Sequence, residues 1–342
     1  MILQSVWFFL WGLLWAVFFI TDGFDLGLGT LYPFLGRSEA DRQVMIHSMG
    51  PLWDGNEVWL ITAGGVTFAA FPLVYATLFS SLYAALMLIL FALILRGVSF
   101  EFRGKVDHPL WRRLWDGCLF IGSALPALLF GVAFANIFKG LPLDENHLFQ
   151  GTLLTLLNPY GLMGGVLFML FFLMHGALWL AAKSVGEIHR RAVITARRLW
   201  PLELAAAVAF LGFSAQTTPL YNNYFEHPLL FGVILLAVAG LLGIRYYIAQ
   251  ASYFKAWIAS ALVIAASTFF GIAGLFPNLL PSSLDPAFSL TAFNASSSPL
   301  TLKIMLMVVL LFIPVVLAYQ GWTYSLFKGK VNPAEFESEE AY

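Results

Sequence analysis

Gly50-Pro51-Leu52-Trp53-Asp54-Gly55-Asn56-Glu57-Val58-Trp59 sets two carboxylates and two tryptophans at the head of a long apolar run. Upstream, Thr21-Asp22-Gly23-Phe24-Asp25-Leu26-Gly27 places two more acids at the close of another. Apolar runs of about 20 residues span a bilayer, and such runs fill this chain. Of its 342 residues, 60% are hydrophobic and 11% charged, and mean hydropathy is +0.82. A soluble domain of this length needs far more surface charge. The chain therefore reads as an all-α polytopic membrane protein. An aspartate near the centre of a spanning helix costs roughly 2.5–3.5 kcal/mol, less toward its ends. Acids in such segments must be neutral, paired or hydrated, and four of them point to proton handling.

The apolar pattern predicts nine helices, near 5–31, 53–75, 78–97, 116–138, 161–182, 200–216, 229–249, 256–276 and 302–326. Of the 18 lysines and arginines, all but Lys139 and Lys303 fall in the odd-numbered loops or the C-terminal tail. By the positive-inside rule the N-terminus is outside and the C-terminus cytoplasmic. Residues 1–330 read as one membrane domain, and 331–342 as a short acidic cytoplasmic tail, disordered and without an assigned role. The first cation is Arg37, so the first apolar run reads as a retained helix, not a cleaved signal. A single cysteine, Cys118, excludes an intrachain disulfide and any multi-cysteine metal or iron–sulfur site. No metal site is expected, and a net charge of −1 gives no sign of a nucleic-acid partner.

This orientation gathers Asp22, Asp25, Asp54, Glu57, Asp116 and Glu203 near the cytoplasmic face. Asp22 and Asp25 are spaced i, i+3, as are Asp54 and Glu57, so each pair shares a helix face. Like charges that close oppose joint ionisation, and groups so poised can accept and pass protons. Asp54, Asp25, Glu57 and Asp22 are the candidate proton path, with Asp116 a weaker member. Gly23, Gly27, Gly29, Gly55, Gly64 and Gly65 leave room for close helix approach or ordered water.

Plainer readings stand beside these. Pro51 followed by Asp54 and Glu57 is also an ordinary helix start favoured by the macrodipole. Asp116 follows Arg112 and Arg113 and can serve a salt bridge, and Glu203 reads as a first-turn acid. Trp53, Trp59, Trp111, Trp115 and Trp200 mostly fit an interfacial belt. Of six histidines, only His175 lies clearly inside a helix. A chain that bound several haems itself would show several intramembrane histidines. His175 reads as a hydrogen-bonded packing residue more readily than as a ligand.

Further blocks accompany the two acidic motifs. They are Phe34-Leu35-Gly36-Arg37, Phe100-Glu101-Phe102-Arg103, Gly131-Val132-Ala133-Phe134 and Asn158-Pro159-Tyr160-Gly161. Near the end come Phe276-Pro277-Asn278-Leu279-Leu280-Pro281-Ser282 and Asn294-Ala295-Ser296-Ser297-Ser298-Pro299. On these residues, and on Trp53 to Gly65, the chain resembles subunit II of cytochrome bd, the quinol-oxidising terminal oxidase of bacterial and archaeal cytoplasmic membranes. The resemblance covers essentially the whole chain.

It implies two four-helix bundles plus one peripheral helix, and a homologously folded, haem-bearing subunit I as partner. Low-spin haem b, high-spin haem b and haem d are then expected in subunit I, together with the loop that oxidises ubiquinol or menaquinol. The complex would reduce dioxygen to water with protons drawn from the cytoplasm, without pumping. Some members hold a structural quinone in this subunit, and a small single-helix accessory subunit can accompany the pair in the lipid bilayer. By the same resemblance, Asp54 of the Trp-Asp-Gly-Asn motif lines a cytoplasmic proton inlet, Asp25 is a second acid near it, and Asp22 shares the motif. Glu57 stands where relatives often carry Gln and adds an acid to the set. Beside a purely structural subunit, whose acids only pair with Arg37, Arg96 or partner groups, a proton-coupled secondary transporter is the competing function. Acids gathered on one side, away from the midplane, and the lack of a visible inverted repeat weigh against it.

Overall fold

The computed structural model describes residues 1–331, so nearly all of the expected acidic tail lies outside the described residues. Ile2–Thr21 (α1) and Gly23–Leu35 (α2) form one apolar rod interrupted at Asp22. Glu39–Met49 (α3) follows, opened by a capping box. Ser38 Oγ accepts from the Asp41 amide at 3.1 Å, and the Asp41 carboxylate accepts from the Ser38 amide at 3.0 Å. Next come Trp53–Ala70 (α4), Pro72–Ser81 (α5), Tyr83–Phe102 (α6), Pro109–Lys139 (α7), the single turn Leu153–Leu156 (α8) and Pro159–Lys183 (α9). Gly186–Thr217 (α10), the short Tyr221–Glu226 (α11), Phe231–Ala249 (α12), Tyr253–Leu275 (α13) and Pro299–Leu326 (α14) complete the helices. A small antiparallel ribbon pairs Asn278–Leu280 (β1) with Leu290–Thr291 (β2) at the end of the molecule opposite the arginine-rich loops.

Among the described residues, eight helices are long and apolar enough to cross a membrane: the α1–α2 rod, α6, α7, α9, α10, α12 with its leading turn, α13 and α14. The helix expected over 53–75 is not among them. It ends at Ala70 because Pro72 follows: the residue before a proline is pushed out of the helical region, and Phe71 sits at φ −137°, ψ 64°. The chain resumes at Pro72 as α5, and the next helix starts at Tyr83, several residues later than the pattern places it.

The helix expected at 200–216 instead begins at Gly186. Its first half carries Glu187, Arg190, Arg191, Arg197 and Arg198 and so resembles a loop in composition. Ile188, Ala192, Val193 and Ala196 nonetheless recur at helical spacing and are buried. Glu203 is therefore mid-helix, not in a first turn.

The interior is built on close backbone approach. A Cβ built on Gly27 would fall inside the Phe172 carbonyl oxygen, and one on Gly176 would stand 2.5 Å from the Leu28 amide nitrogen, so α2 and α9 meet main chain to main chain. Gly23 and Gly29 are crowded too, but by the side chains of Phe172 and Ser123. Gly55, Gly64 and Gly65 differ: nothing lies within 4 Å of a Cβ at any of them. Aromatic rings fill the centre, with Phe19 edge-on to Phe130, Phe134 and Phe168 at 5.8, 5.2 and 5.0 Å. The last helix, α14, lies outermost and buries little more than Leu302.

Candidate proton-handling site

The break between α1 and α2 turns Asp22 inward, and Asp25 sits one turn on; both are buried. Opposite them, α6 delivers Arg96, fully buried at the end of the apolar run 86–95. Arg96 Nη2 donates to Asp22 Oδ1 at 2.7 Å and to Glu57 Oε2 of α4 at 3.0 Å. Asn56, beside Glu57, donates from Nδ2 to Asp25 Oδ2 at 2.7 Å. The Asn56 carbonyl in turn accepts from the Tyr324 hydroxyl of α14 at 2.8 Å. Glu57 is the member that reaches the surface, its side chain 21% exposed while those of Asp22 and Arg96 are 0%.

One guanidinium thus faces three carboxyl groups in a setting where an uncompensated charge costs several kcal/mol. Asp22 Oδ2, Asp25 Oδ1, Arg96 Nε and Arg96 Nη1 take no hydrogen-bond partner among the described residues. The arrangement can hand a proton from a partly exposed glutamate to a buried aspartate pair.

A second network lies at the same end, outside the apolar region, and it is where Asp116 belongs. Asp116 accepts from Arg42 at 2.8 Å and from Arg103 Nε at 2.6 Å, while the Arg103 fork holds both oxygens of Glu39 at 2.7 and 2.9 Å. Arg191 of α10 pairs with Asp41 at 2.7 Å. These bonds clamp α3 onto α6, α7 and α10, with Asp116 held between the Arg42 and Arg103 guanidinium groups.

Arg103 holds the Glu39 carboxyl below its ordinary 4.5. Burial would raise Asp41, yet the bonds from Arg191 and Ser38 outweigh it and bring the group below 3.8. The stabilisation from both depressed groups is complete above their ordinary values and is lost as pH falls through the lower folded ones. Pepsin cleavage across residues 37–50 is therefore expected to rise steeply once pH drops below about 4. Unchanged protection there would show that the clamp does not hold α3.

Asp54 faces outward from α4, exposed, and joins neither network. It heads an exposed stripe that continues through Val58, Ile61, Gly65 and Phe68. Glu203 is fully buried, and neither of its carboxyl oxygens has a hydrogen-bond partner among the described residues. His175 Nδ1 pairs with Ser260 Oγ and its Nε2 with the Ile20 carbonyl, both at 3.1 Å, and the ring stacks on Trp257. With both nitrogens engaged, this intramembrane histidine does not fit a haem iron.

Sequence reasoning brought Asp22, Asp25 and Glu57 to the site and offered Arg96 as a pairing partner only in the purely structural reading; it passed over Tyr324. The signal for Arg96 was present: an arginine inside Phe91-Ala92-Leu93-Ile94-Leu95-Arg96-Gly97-Val98 interrupts an apolar run and needs a buried partner. Tyr324 carries no such local mark.

Residues 3–327 match the family described as "Cytochrome bd terminal oxidase subunit II". The chain is 35% identical over 333 residues to the Bacillus subtilis "Cytochrome bd ubiquinol oxidase subunit 2", covering 97% of this chain and 98% of that one. It is 36% identical over 372 residues to the Escherichia coli "Cytochrome bd-I ubiquinol oxidase subunit 2", covering 98% and 97%. Its fold matches a chain of the bd oxidase from Geobacillus thermodenitrificans with a TM-score of 0.78, over 96% of this chain and 99% of that one, at 16% identity. That last likeness is one of fold alone. None of these likenesses supports the transporter reading.

Proposed function

The chain belongs to the cytochrome bd terminal oxidase subunit II family, and from that premise we propose that its acid cluster is the cytoplasmic proton inlet of a quinol-oxidising complex. As such a subunit it pairs with a subunit I, and the complex uses haem to pass electrons from quinol to dioxygen. Low-spin haem b, high-spin haem b and haem d lie in subunit I, and the quinol is ubiquinol, as in the names of the relatives, or menaquinol. The chain crosses the bacterial cytoplasmic membrane nine times, with α4 and α5 together as the second crossing. Its N-terminus is outside and its arginine-rich end cytoplasmic. The helices form two four-helix bundles with α14 peripheral.

The observation that carries the proposal is the buried Arg96–Asp22–Glu57 triad with Asp25 beside it, open to the surface at Glu57. Three acids beside one cation near the charged end supply what proton uptake for oxygen reduction needs. The exposed stripe headed by Asp54 suits contact with subunit I, where Asp54 would complete the route across the interface.

In the purified complex, a reduced-minus-oxidised spectrum reads haem content and quinol-driven oxygen uptake reads turnover. Asp54→Asn is expected to lower turnover by roughly a hundredfold or more, as losing a proton-transferring group should, with b and d bands intact. Loss of the haem bands together with turnover would make the acid a structural part of the interface instead.

A further inference from the structure

We propose that Tyr324, acting through Asn56, is a positioning residue that fixes which oxygen of Asp25 exchanges a proton. This rests on the proton-inlet reading above and names a residue outside the acid motifs.

Donor and acceptor chemistry carries the argument. An ionised carboxylate only accepts hydrogen bonds, whereas an amide has one donating and one accepting end. Asn56 must therefore present Nδ2 to Asp25 Oδ2, as it does at 2.7 Å, leaving its carbonyl to face a donor. The Tyr324 hydroxyl is that donor, at 2.8 Å. With the amide so pinned, Oδ2 of Asp25 stays an acceptor, and Oδ1, which has no hydrogen-bond partner among the described residues, becomes the exchange site. Without the hydroxyl, the amide is free to turn over and offer its carbonyl to Asp25. That favours a proton on Oδ2, away from the exchange side.

Asp25 is otherwise faced by Asp22 from the α1–α2 junction, Glu57 from α4 and Arg96 from α6. From α9, Lys183 stands over the Trp179 ring at 4.8 Å, and that ring lies edge-on to Tyr324 at 6.1 Å. None of these supplies a donor to the Asn56 carbonyl. Tyr324 and Gln320 are also the two side chains that bond the otherwise exposed α14 to α4, Gln320 through Trp59 Nε1 at 3.0 Å. The amide is thus oriented from an element that meets the cluster only at this end.

The test uses the assembled oxidase. Tyr324→Phe keeps the ring against Trp179 and is expected to retain haem content, lower turnover about tenfold and displace the pH profile of turnover. That loss is smaller than the roughly 10²–10⁴-fold a proton-transferring group itself supplies. In an Asn56→Leu background, Tyr324→Phe is expected to add nothing, since the two act through one amide. Native turnover and pH profile in Tyr324→Phe, while Asp25→Asn is inactive, would overturn the positioning role alone. Full activity of Asp25→Asn would overturn both this role and the inlet reading.

Discussion

Replacing Arg96 with leucine is expected to destabilise the subunit by about 3–5 kcal/mol, the range for breaking a buried ion pair from one side. Arg96 and Asp22 are completely buried, and Glu57 is mostly so. Removing the cation strands the Asp22 and Glu57 carboxylates that it bonds. The complex should fail to accumulate in the membrane, or lose its haem spectrum on mild heating. The double variant Asp22→Asn with Glu57→Gln in the Arg96→Leu background should recover much of the loss, because it is the unpaired charge that costs, more than the missing bond. A single Arg96→Leu variant with wild-type thermal retention would mean that the triad contributes nothing to stability, and the charge bookkeeping of the site would need to be redrawn.

Gly27→Ala carries the second large effect. Overpacking a core usually costs about 1–3 kcal/mol, with the upper end reached when neighbours cannot move. Here the obstacle is the Phe172 carbonyl of α9, which no rotamer change can relieve. The helices must part, and with them the segment that carries Asp22 and Asp25. Gly64→Ala is the internal control, since nothing lies within 4 Å of its new methyl. The first variant should lower the melting temperature of the complex and the second leave the subunit's own packing alone. Equal melting temperatures for the two would remove the backbone seam from the account of stability.

The helical architecture was legible because apolar runs of spanning length cannot easily be anything else. What misled was charge. The first half of α10 hides a narrow buried stripe beneath arginines, and Arg96 counted as a loop cation because loops are where cations usually sit. The interruption at Phe71 was readable from Pro72, but the apolar run on both sides masked it. At the site, the acids announced themselves by their cost in an apolar chain. Their partners did not: the Tyr324–Asn56 bond joins residues 268 positions apart, and nothing in a single sequence ties them. The outward direction of Asp54 was equally hidden, because residues three apart share a face only loosely, and burial distinguishes them only once neighbours are in place.

The break before Pro72 has a use at the far end of the chain. Where the helical ladder stops, the carbonyls of Ala69 and Ala70 are left without helical donors, and Ser297 takes both, its amide on Ala70 at 2.8 Å and its hydroxyl on Ala69 at 2.6 Å. The helix that begins at Pro299 is therefore tethered at its start by this plug and near its finish by Tyr324, while its apolar middle contains Pro314 and little that grips it. Pro314 removes one amide donor from the ladder of that middle, so a bend there would leave both attachments in place.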